Sequence, residues 1–404
     1  MDATVLVVFV FVYAGMMLGR IPHLALDRTG IALLGAIVLL AAGRITPEQA
    51  WASVDVSTIA LLLGLMVVSA QFRLGGFYAH LTRRLGEWNL SPGAFLACLI
   101  ACAGLLSAVL ANDIVCLAMT PVLIQTCAHR RLDPVPFLLA LACASNIGSA
   151  ATLIGNPQNM LIGQTLSLSF PAYTAEAAVP VLLGLAVVWA VVYAQARGRW
   201  TKEIRPAEVA APPFDRWQTG KGFVVLIVLI GLFLFSPFPR EIVALGAAGW
   251  LLSSRRMASR KVLGLVDWQL LVLFAGLFVV HAVLVASGGL DAVMRALTLY
   301  GVDLERPAWL FGITAILSNL VSNVPAVMLL LPSSAHAWAG TILALSSTLA
   351  GNLFIVGSIA NIIVVDQARL SNVTISWREH ARVGIPVTVT TLALAALWLL
   401  VRIP

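Results

Sequence analysis

Apolar residues run along this chain in blocks of roughly 17–25 positions, the length of a bilayer-spanning helix, with polar residues gathered between them. The pattern predicts spans at 2–19, 29–43, 56–72, 178–196, 221–236, 239–253, 268–286 and 383–402. Two more, 134–165 and 339–365, are interrupted near their centres. Segments 92–128 and 307–337 are too long for one crossing, and each has a polar break in the middle. The break is Ala111-Asn112-Asp113 in one and Ser322-Asn323-Val324-Pro325 in the other. Each reads as a re-entrant helical hairpin that enters and leaves on one side. Non-helical backbone at membrane depth is tolerated only where protein shields it or a cavity lies beside it. The expected fold is an all-α polytopic membrane protein, with ten transmembrane helices plus two re-entrant hairpins.

Composition narrows the class. The chain is 60% hydrophobic and 11% charged, whereas soluble domains carry about 25% charged residues. The lipid bilayer is therefore its partner. A β-barrel is excluded, because barrel strands are short and alternate in polarity. The net charge of +7 reads as loop charge that sets orientation, not as a nucleic-acid footprint. With the N-terminus outside, only Arg44, Arg240, Arg295, Arg306 and Arg402 fall outside. The other basic residues, Arg20 and Arg205 among them, fall inside. This predicts a multi-pass protein of the cytoplasmic membrane with both termini outside. The first apolar run, Ala3 to Leu18, lacks a basic n-region and a small-residue cleavage site and reads as the first span. The cysteines (Cys98, Cys102, Cys116, Cys127 and Cys143) lie inside apolar runs and read as small core residues.

The two halves resemble each other. WASVDVSTIALLLGLMVVSAQFRLGGF (51–77) matches LGLVDWQLLVLFAGLFVVHAVLVASGGL (263–290), aligning Asp55 with Asp267. LLSAVLANDIVCLAMTP (105–121) matches ILSNLVSNVPAVMLLLP (316–332), aligning Ser107 with Ser318 and Asn112 with Asn323. LIGNPQNMLI (153–162) matches IVGSIANIIV (355–364), aligning Gly155 with Gly357 and Asn159 with Asn361. The expected organisation is a first repeat at 1–197, a polar cytoplasmic linker at 198–220 and a second repeat at 221–404. Each half has an odd number of crossings, so the repeats are inverted. Paired broken helices in inverted repeats mark secondary transporters and put the site at the breaks.

The breaks expose helix ends. Half-helix N-termini suit an anion, while half-helix C-termini and unwound carbonyls suit Na⁺. An Asn amide offers both a donor and an acceptor. Asn112 and Asn323 at the hairpin tips and Asn159 and Asn361 past the broken spans are therefore candidate ligands, joined by Ser322. Gly155 and Gly357 permit close backbone approach, and Asn156 and Ser358 follow them directly. Asn146, Thr348 and Asn352 precede the breaks. A coupling Na⁺ would sit among Asn112, Asp113, Gly155, Asn323 and Gly357. Asp113 could hold Na⁺ or carry H⁺, or serve as an N-cap for the helix starting at Ile114. Its repeat partner is Val324, so the site is asymmetric. Asp55 and Asp267, at span starts, fit N-capping. No cofactor is called for, and no nucleotide-binding loop or catalytic constellation is present in the sequence.

At ANDIVCLAMTP (111–121), TLIGNPQN (152–159), SNVPA (322–326) and GSIAN (357–361) the chain resembles the ion transporter superfamily. That group holds arsenite permeases, citrate transporters, Na⁺/H⁺ antiporters and divalent-anion/sodium symporters. The resemblance implies a transport domain with two hairpins moving against a scaffold in an elevator-type motion, and a homodimer. The hairpin tips lack both Thr of the symporter pattern, which turns the reading toward arsenite-type permeases. The function expected is a secondary active transporter for a small anion or oxyanion, arsenite- or carboxylate-like, coupled to H⁺ or Na⁺. The alternative is an Na⁺/H⁺ antiporter using Asp113.

Overall fold

The computed structural model describes residues 2–19, 26–202, 212–333 and 336–403. Arg20 and Arg205, the middle of the 198–220 linker and part of the end of the 307–337 hairpin lie outside the described residues. Among the described residues the chain is helical throughout, save for one isolated bridge between Leu132 and Thr201.

The first half holds α1 (Ala3–Leu18), α2 (Arg28–Ala41), α3 (Pro47–Ser53), α4 (Val56–Leu74), α5 (Phe77–Glu87), α6 (Pro92–Val109), α7 (Asn112–His129), α8 (Pro134–Ser149), α9 (Pro157–Thr165) and α10 (Phe170–Ala196). The second half holds α11 (Arg216–Phe235), α12 (Arg240–Leu252), α13 (Ser259–Leu263), α14 (Trp268–Ala286), α15 (Gly289–Leu299), α16 (Pro307–Val321), α17 (Asn323–Leu330), α18 (Ala339–Ala350), α19 (Ile359–Leu370) and α20 (Trp377–Arg402). Among the described residues six helices are long and apolar enough to cross a bilayer: α4, α6, α10, α11, α14 and α20. Five more, α1, α2, α8, α16 and α18, are apolar but shorter.

Local chemistry explains the boundaries. Asp55 accepts from the Thr58 amide at 2.9 Å and Asp267 from the Leu270 amide at 3.0 Å, so both cap their helices as the sequence suggests. Helices α10, α11 and α20 begin earlier than the apolar runs at 178, 221 and 383, because Ser169, Asp215 and Ser376 nucleate a polar first turn ahead of the membrane stretch. Ser376 and Glu379 form a reciprocal capping box. The helical start of α11 thereby takes the last residues of the expected linker. The short helices α3 and α13 fall outside the sequence expectation, since neither is apolar enough to register as a span. The amphipathic stretches near 75–88 and 290–300 form α5 and α15, each entered through a left-handed glycine, Gly76 at φ +67° and Gly288 at φ +69°.

Packing follows the helix order. Helix α2 lies on α14 and α4 on α12; α6 lies on α8 and α16 on α18; α7 lies on α19 and α9 on α17; α10 lies on α20. Antiparallel neighbours are fixed at their ends by ion pairs. Asp2, before α1, meets Arg44, after α2, at 2.7 Å. Glu176 of α10 meets Arg402 of α20 at 2.6 Å. Both hairpins break sharply: α6 gives way to α7 at Leu110-Ala111, and α16 to α17 at Ser322 alone.

Two features carry energetic consequences. Helices α6 and α8 touch through glycines, and a Cβ on Gly148 would stand 2.3 Å from the Gly104 carbonyl oxygen. Gly148→Ala is expected to destabilise the fold by about 2 kcal/mol or more through overpacking. Gly231→Ala, inside α11 where nothing lies within 4 Å, should not lower thermal stability in detergent, since Ala is the better helix former. Ser322 sits at φ +79° and ψ 159°, a region that is essentially glycine-only and costs roughly 1–3 kcal/mol. Ser322→Gly should raise the melting temperature, as read by fluorescence-detected size exclusion.

Candidate functional site

The two broken spans lie against each other and against the hairpin tips. In the first break Asn156 caps α9, its Oδ1 accepting from the Asn159 amide at 2.8 Å. Its Nδ2 donates to Ser149 Oγ at 2.9 Å and to Thr348 Oγ1, in the other half, at 3.3 Å. Gln158 Nε2 reaches the same Thr348 hydroxyl at 3.1 Å. Asn146 Nδ2 donates to Asn352 Oδ1 at 3.2 Å, and Ser358 Oγ donates to Asn146 Oδ1 at 3.1 Å. Candidates from 200 residues apart in sequence thus form one buried network that spans both halves.

The two aligned Asn staple the unwound backbone. Asn159 Nδ2 donates to the Thr152 carbonyl and the Tyr173 hydroxyl, both at 3.0 Å, and Tyr173 passes its own proton to the Ala150 carbonyl at 2.7 Å. Asn361 Nδ2 donates to the Gly351 carbonyl at 3.0 Å and the Phe354 carbonyl at 3.2 Å. Because carbonyls can only accept, these contacts fix which way each amide points. Both Oδ1 atoms are buried and, among the described residues, without a donor. Asn319 Oδ1 is a third such acceptor, and a Cβ on Gly357 would stand 3.0 Å from it. Asn352 Nδ2 is a buried donor without an acceptor.

The hairpin tips join from either side. Ser145 Oγ donates to the Asn112 carbonyl at 3.2 Å, and the Asn112 amide reaches the Gly155 carbonyl at 3.4 Å. Ser107 and Ser145 share a hydrogen bond of 2.7 Å. Ser318 donates to Asn323 Oδ1 at 2.6 Å and to the Ser347 carbonyl at 3.1 Å. Gly351 brings Asn146 and Asn323 together, for a Cβ there would lie 2.9 Å and 3.3 Å from their amide nitrogens. Helices α7, α17 and α19 all begin without a side-chain cap. In α7 the first N–H, of Asn112, goes to the Gly155 carbonyl, and the positive ends of all three dipoles are left without a side-chain cap.

Asp113 stands apart from this network. The helix cap is Ala111, not Asp113, which lies inside the first turn of α7. The N-cap expectation fails because helix begins at Asn112, ahead of Ile114. Asp113 is half-buried and lines a cavity of about 180 Å³ with Asn112, Asn156, Arg73 and Asp267. Among the described residues no Lys or Arg forms an ion pair with it. The sequence placed Arg73 in a loop; it lies instead in the last turn of α4, facing the cavity. Sequence reasoning also missed Asn319, Gln158 and His380, whose Nε2 sits 3.1 Å from the Asn352 carbonyl. Asn319 carried a usable signal, a polar residue next to Ser318 inside an apolar run. The five cysteines are free thiols, with Cys116, Cys127 and Cys143 buried.

A profile of the citrate transporter family matches residues 5–340. An uncharacterized transporter of Mycobacterium tuberculosis (strain ATCC 25618 / H37Rv) is 30% identical over 93% of this chain and 94% of its own. The silicon efflux transporter of Oryza sativa subsp. japonica is 30% identical over 93% of this chain and 92% of its own. An inner membrane protein of Escherichia coli (strain K12) is 30% identical over 83% of this chain and 85% of its own. Apolar helices and transporter relatives together make this a multi-pass membrane transporter, not an enzyme. The chain belongs to the citrate transporter family, within the ion transporter superfamily.

Proposed function

We propose that the chain is a secondary active transporter that carries a small anion or oxyanion across the cytoplasmic membrane, coupled to H⁺ or Na⁺. The observation that carries this reading is the meeting of opposite polarities at the breaks. Uncapped N-termini of α7, α17 and α19 offer N–H donors to an anion. Asn159, Asn319 and Asn361 offer unpartnered carbonyl oxygens to a cation. A cation beside the anion offsets the cost of burying either alone. Citrate in the family's name and silicon in the rice relative's bracket a class of small, oxygen-rich solutes. A sodium ion would use such an amide oxygen together with the carbonyls of its own break, Asn159 near Gly155 or Asn319 and Asn361 near Gly357.

The two halves are read as inverted repeats of 1–197 and 221–404, joined by the 198–220 linker. Matched helix order and matched packing of α2–α14 with α4–α12 support this. In that reading α6–α7 and α16–α17 are the re-entrant hairpins. They form a transport domain with α8–α9 and α18–α19, which moves by an elevator motion against α1, α2, α4, α11, α12 and α14, in a homodimer. Both termini lie outside. The pairs Asp2–Arg44 and Glu176–Arg402 each join residues that this topology puts on one side.

A second reading, cation–proton exchange through Asp113, is favoured by one observation: a carboxylate in a cavity with no ion-pair partner among the described residues. Proteoliposomes distinguish the two. Ion-triggered currents and internal pH would be recorded with Na⁺ alone, arsenite, citrate, succinate, sulfate and phosphate. A response to one anion, retained in Asp113→Asn with altered pH dependence, supports anion transport with Asp113 as coupler. A response to Na⁺ alone, abolished in Asp113→Asn, replaces it with the exchanger.

The Asn staples give a separate expectation. Asn361→Ala frees two buried carbonyls, and at about 1–3 kcal/mol for a buried group left unpaired it should lower both thermal stability and transport. Asn361→Asp keeps an oxygen but cannot donate. Transport by Asn361→Ala equal to wild type would remove Asn361 from the site, whereas loss in Asn361→Ala with retention in Asn361→Asp would assign its role to the oxygen.

A further inference from the structure

Another repeat-matched pair takes no part in the site. Arg28 opens α2 and Arg240 opens α12, and the register that aligns Asp55 with Asp267 also aligns these two. Each donates through Nη2 to a backbone carbonyl of the other half's broken span. Arg28 bonds the Val356 carbonyl at 3.3 Å and Arg240 bonds the Gly163 carbonyl at 2.7 Å. These acceptors do not correspond. The register that aligns Gly155 with Gly357 pairs Val356 with Ile154, and Gly163 with Val365. Arg28 therefore grips at the break itself, while Arg240 grips well past it, near the end of α9.

The surroundings repeat the offset. Arg28 borders a cavity of about 460 Å³ lined by Val356, Ile359 and Ile362. At the Arg240 end, Gln164 bonds Glu241 at 3.0 Å. The helices that carry the arginines stay matched. Thr29 Oγ1 bonds the Gln269 carbonyl across α2–α14 at 3.3 Å, and Ser57 Oγ bonds Glu241 across α4–α12 at 3.4 Å. Thr29 aligns with Glu241 and Gln269 with Ser57. The asymmetry thus lies in where the broken spans sit against α2, α4, α12 and α14. Two related halves held asymmetrically have a second arrangement of similar contacts, with their roles exchanged.

We infer that Arg28 and Arg240 are matched latches that trade carbonyl partners as the chain alternates: Arg28 moves from Val356 to Val365, and Arg240 from Gly163 to Ile154. Arginine suits this task, being always charged, long, and supplied with five donors that a carbonyl can meet at several heights. Arg28 Nε is already buried without a partner among the described residues. The helical part of that interval, Ile359 to Val365, alone makes the step about 9 Å or more. The inference rests on the inverted-repeat transporter reading above.

The test leaves both arginines in place and labels their exposed neighbours. Asp27→Cys is paired with Val356→Cys or Val365→Cys, and Pro239→Cys with Gln164→Cys or Ile154→Cys. Cys98 and Cys102, the half-exposed native thiols, are replaced by Ala, and the buried ones stay. A short bis-maleimide is applied to membranes with citrate, arsenite, sulfate or no added anion. The expected result is that 27–356 and 239–164 cross-link together. Links 27–365 and 239–154 also form together, rising as the first two fall. Only 27–356 and 239–164 links, in vesicles that transport one of these anions, would overturn the latch exchange and leave the transporter reading intact. All four links in vesicles that transport none of them would keep the exchange and sink the anion reading. Spin labels at the same sites give an independent readout, a change of about 9 Å or more in the 27–356 distance.

Discussion

Backbone that leaves the helix at bilayer depth has to find its hydrogen bonds inside the protein, because lipid offers none. The rest of this structure depends on how that demand is met at two interrupted spans and two hairpin tips. Asn159 and Asn361 each turn an amide onto stranded carbonyls. Once those amides are committed as donors, their oxygens must face the other way, into the interior. Stapling the break and presenting an acceptor are one geometric event, so a membrane-depth Asn is more economical here than a Ser or Thr, which has a single rotating hydroxyl. The N-termini of α7, α17 and α19 carry no side-chain cap, and these oxygens have no donor among the described residues.

The matching of the halves is tight where helices carry load and loose where chemistry differs. Asp55 and Asp267 cap in the same way, and Gly76 and Gly288 turn the chain at the same φ. Around the tips the correspondence stops. Asp113 faces Val324 in the alignment, and Arg73 faces Val285. Both charged residues sit on one cavity, with Asp267 on its far wall. Charge in the membrane is expensive, so it is spent on one side only.

Much of the helix layout was legible in the sequence because bilayer thickness imposes a period too long to miss. Span 268–286 coincides with α14, and the interruptions at 150–156 and 351–358 fall where unbroken apolar runs meet Gly, Pro and Asn. Boundaries failed where a cap or a polar first turn extended the helix past the apolar stretch, as Ser169 does for α10 and Asp215 for α11. The candidate site was legible as residue types and not as contacts. Asn146, Asn352 and Ser358 could each be named from a polar side chain in an apolar run. That they bond one another follows from packing across halves, which no local pattern records. Arg73 was lost for a related reason: its position at the end of an apolar block reads as a loop, yet one further helical turn carries it onto the cavity wall.

The same logic separates contacts that fix a position from contacts that tolerate a shift. Fully buried contacts such as Gly148 on Gly104, and Asn146 on Asn352, tie hairpin and broken spans into a unit with no room to slide. Where that unit meets α2 and α12, two of the polar contacts are long side chains on main-chain carbonyls, through Arg28 and Arg240, beside one side-chain pair, Gln164 with Glu241. A carbonyl recurs at every residue, so such a bond specifies height only weakly, and a shift by whole turns costs it little.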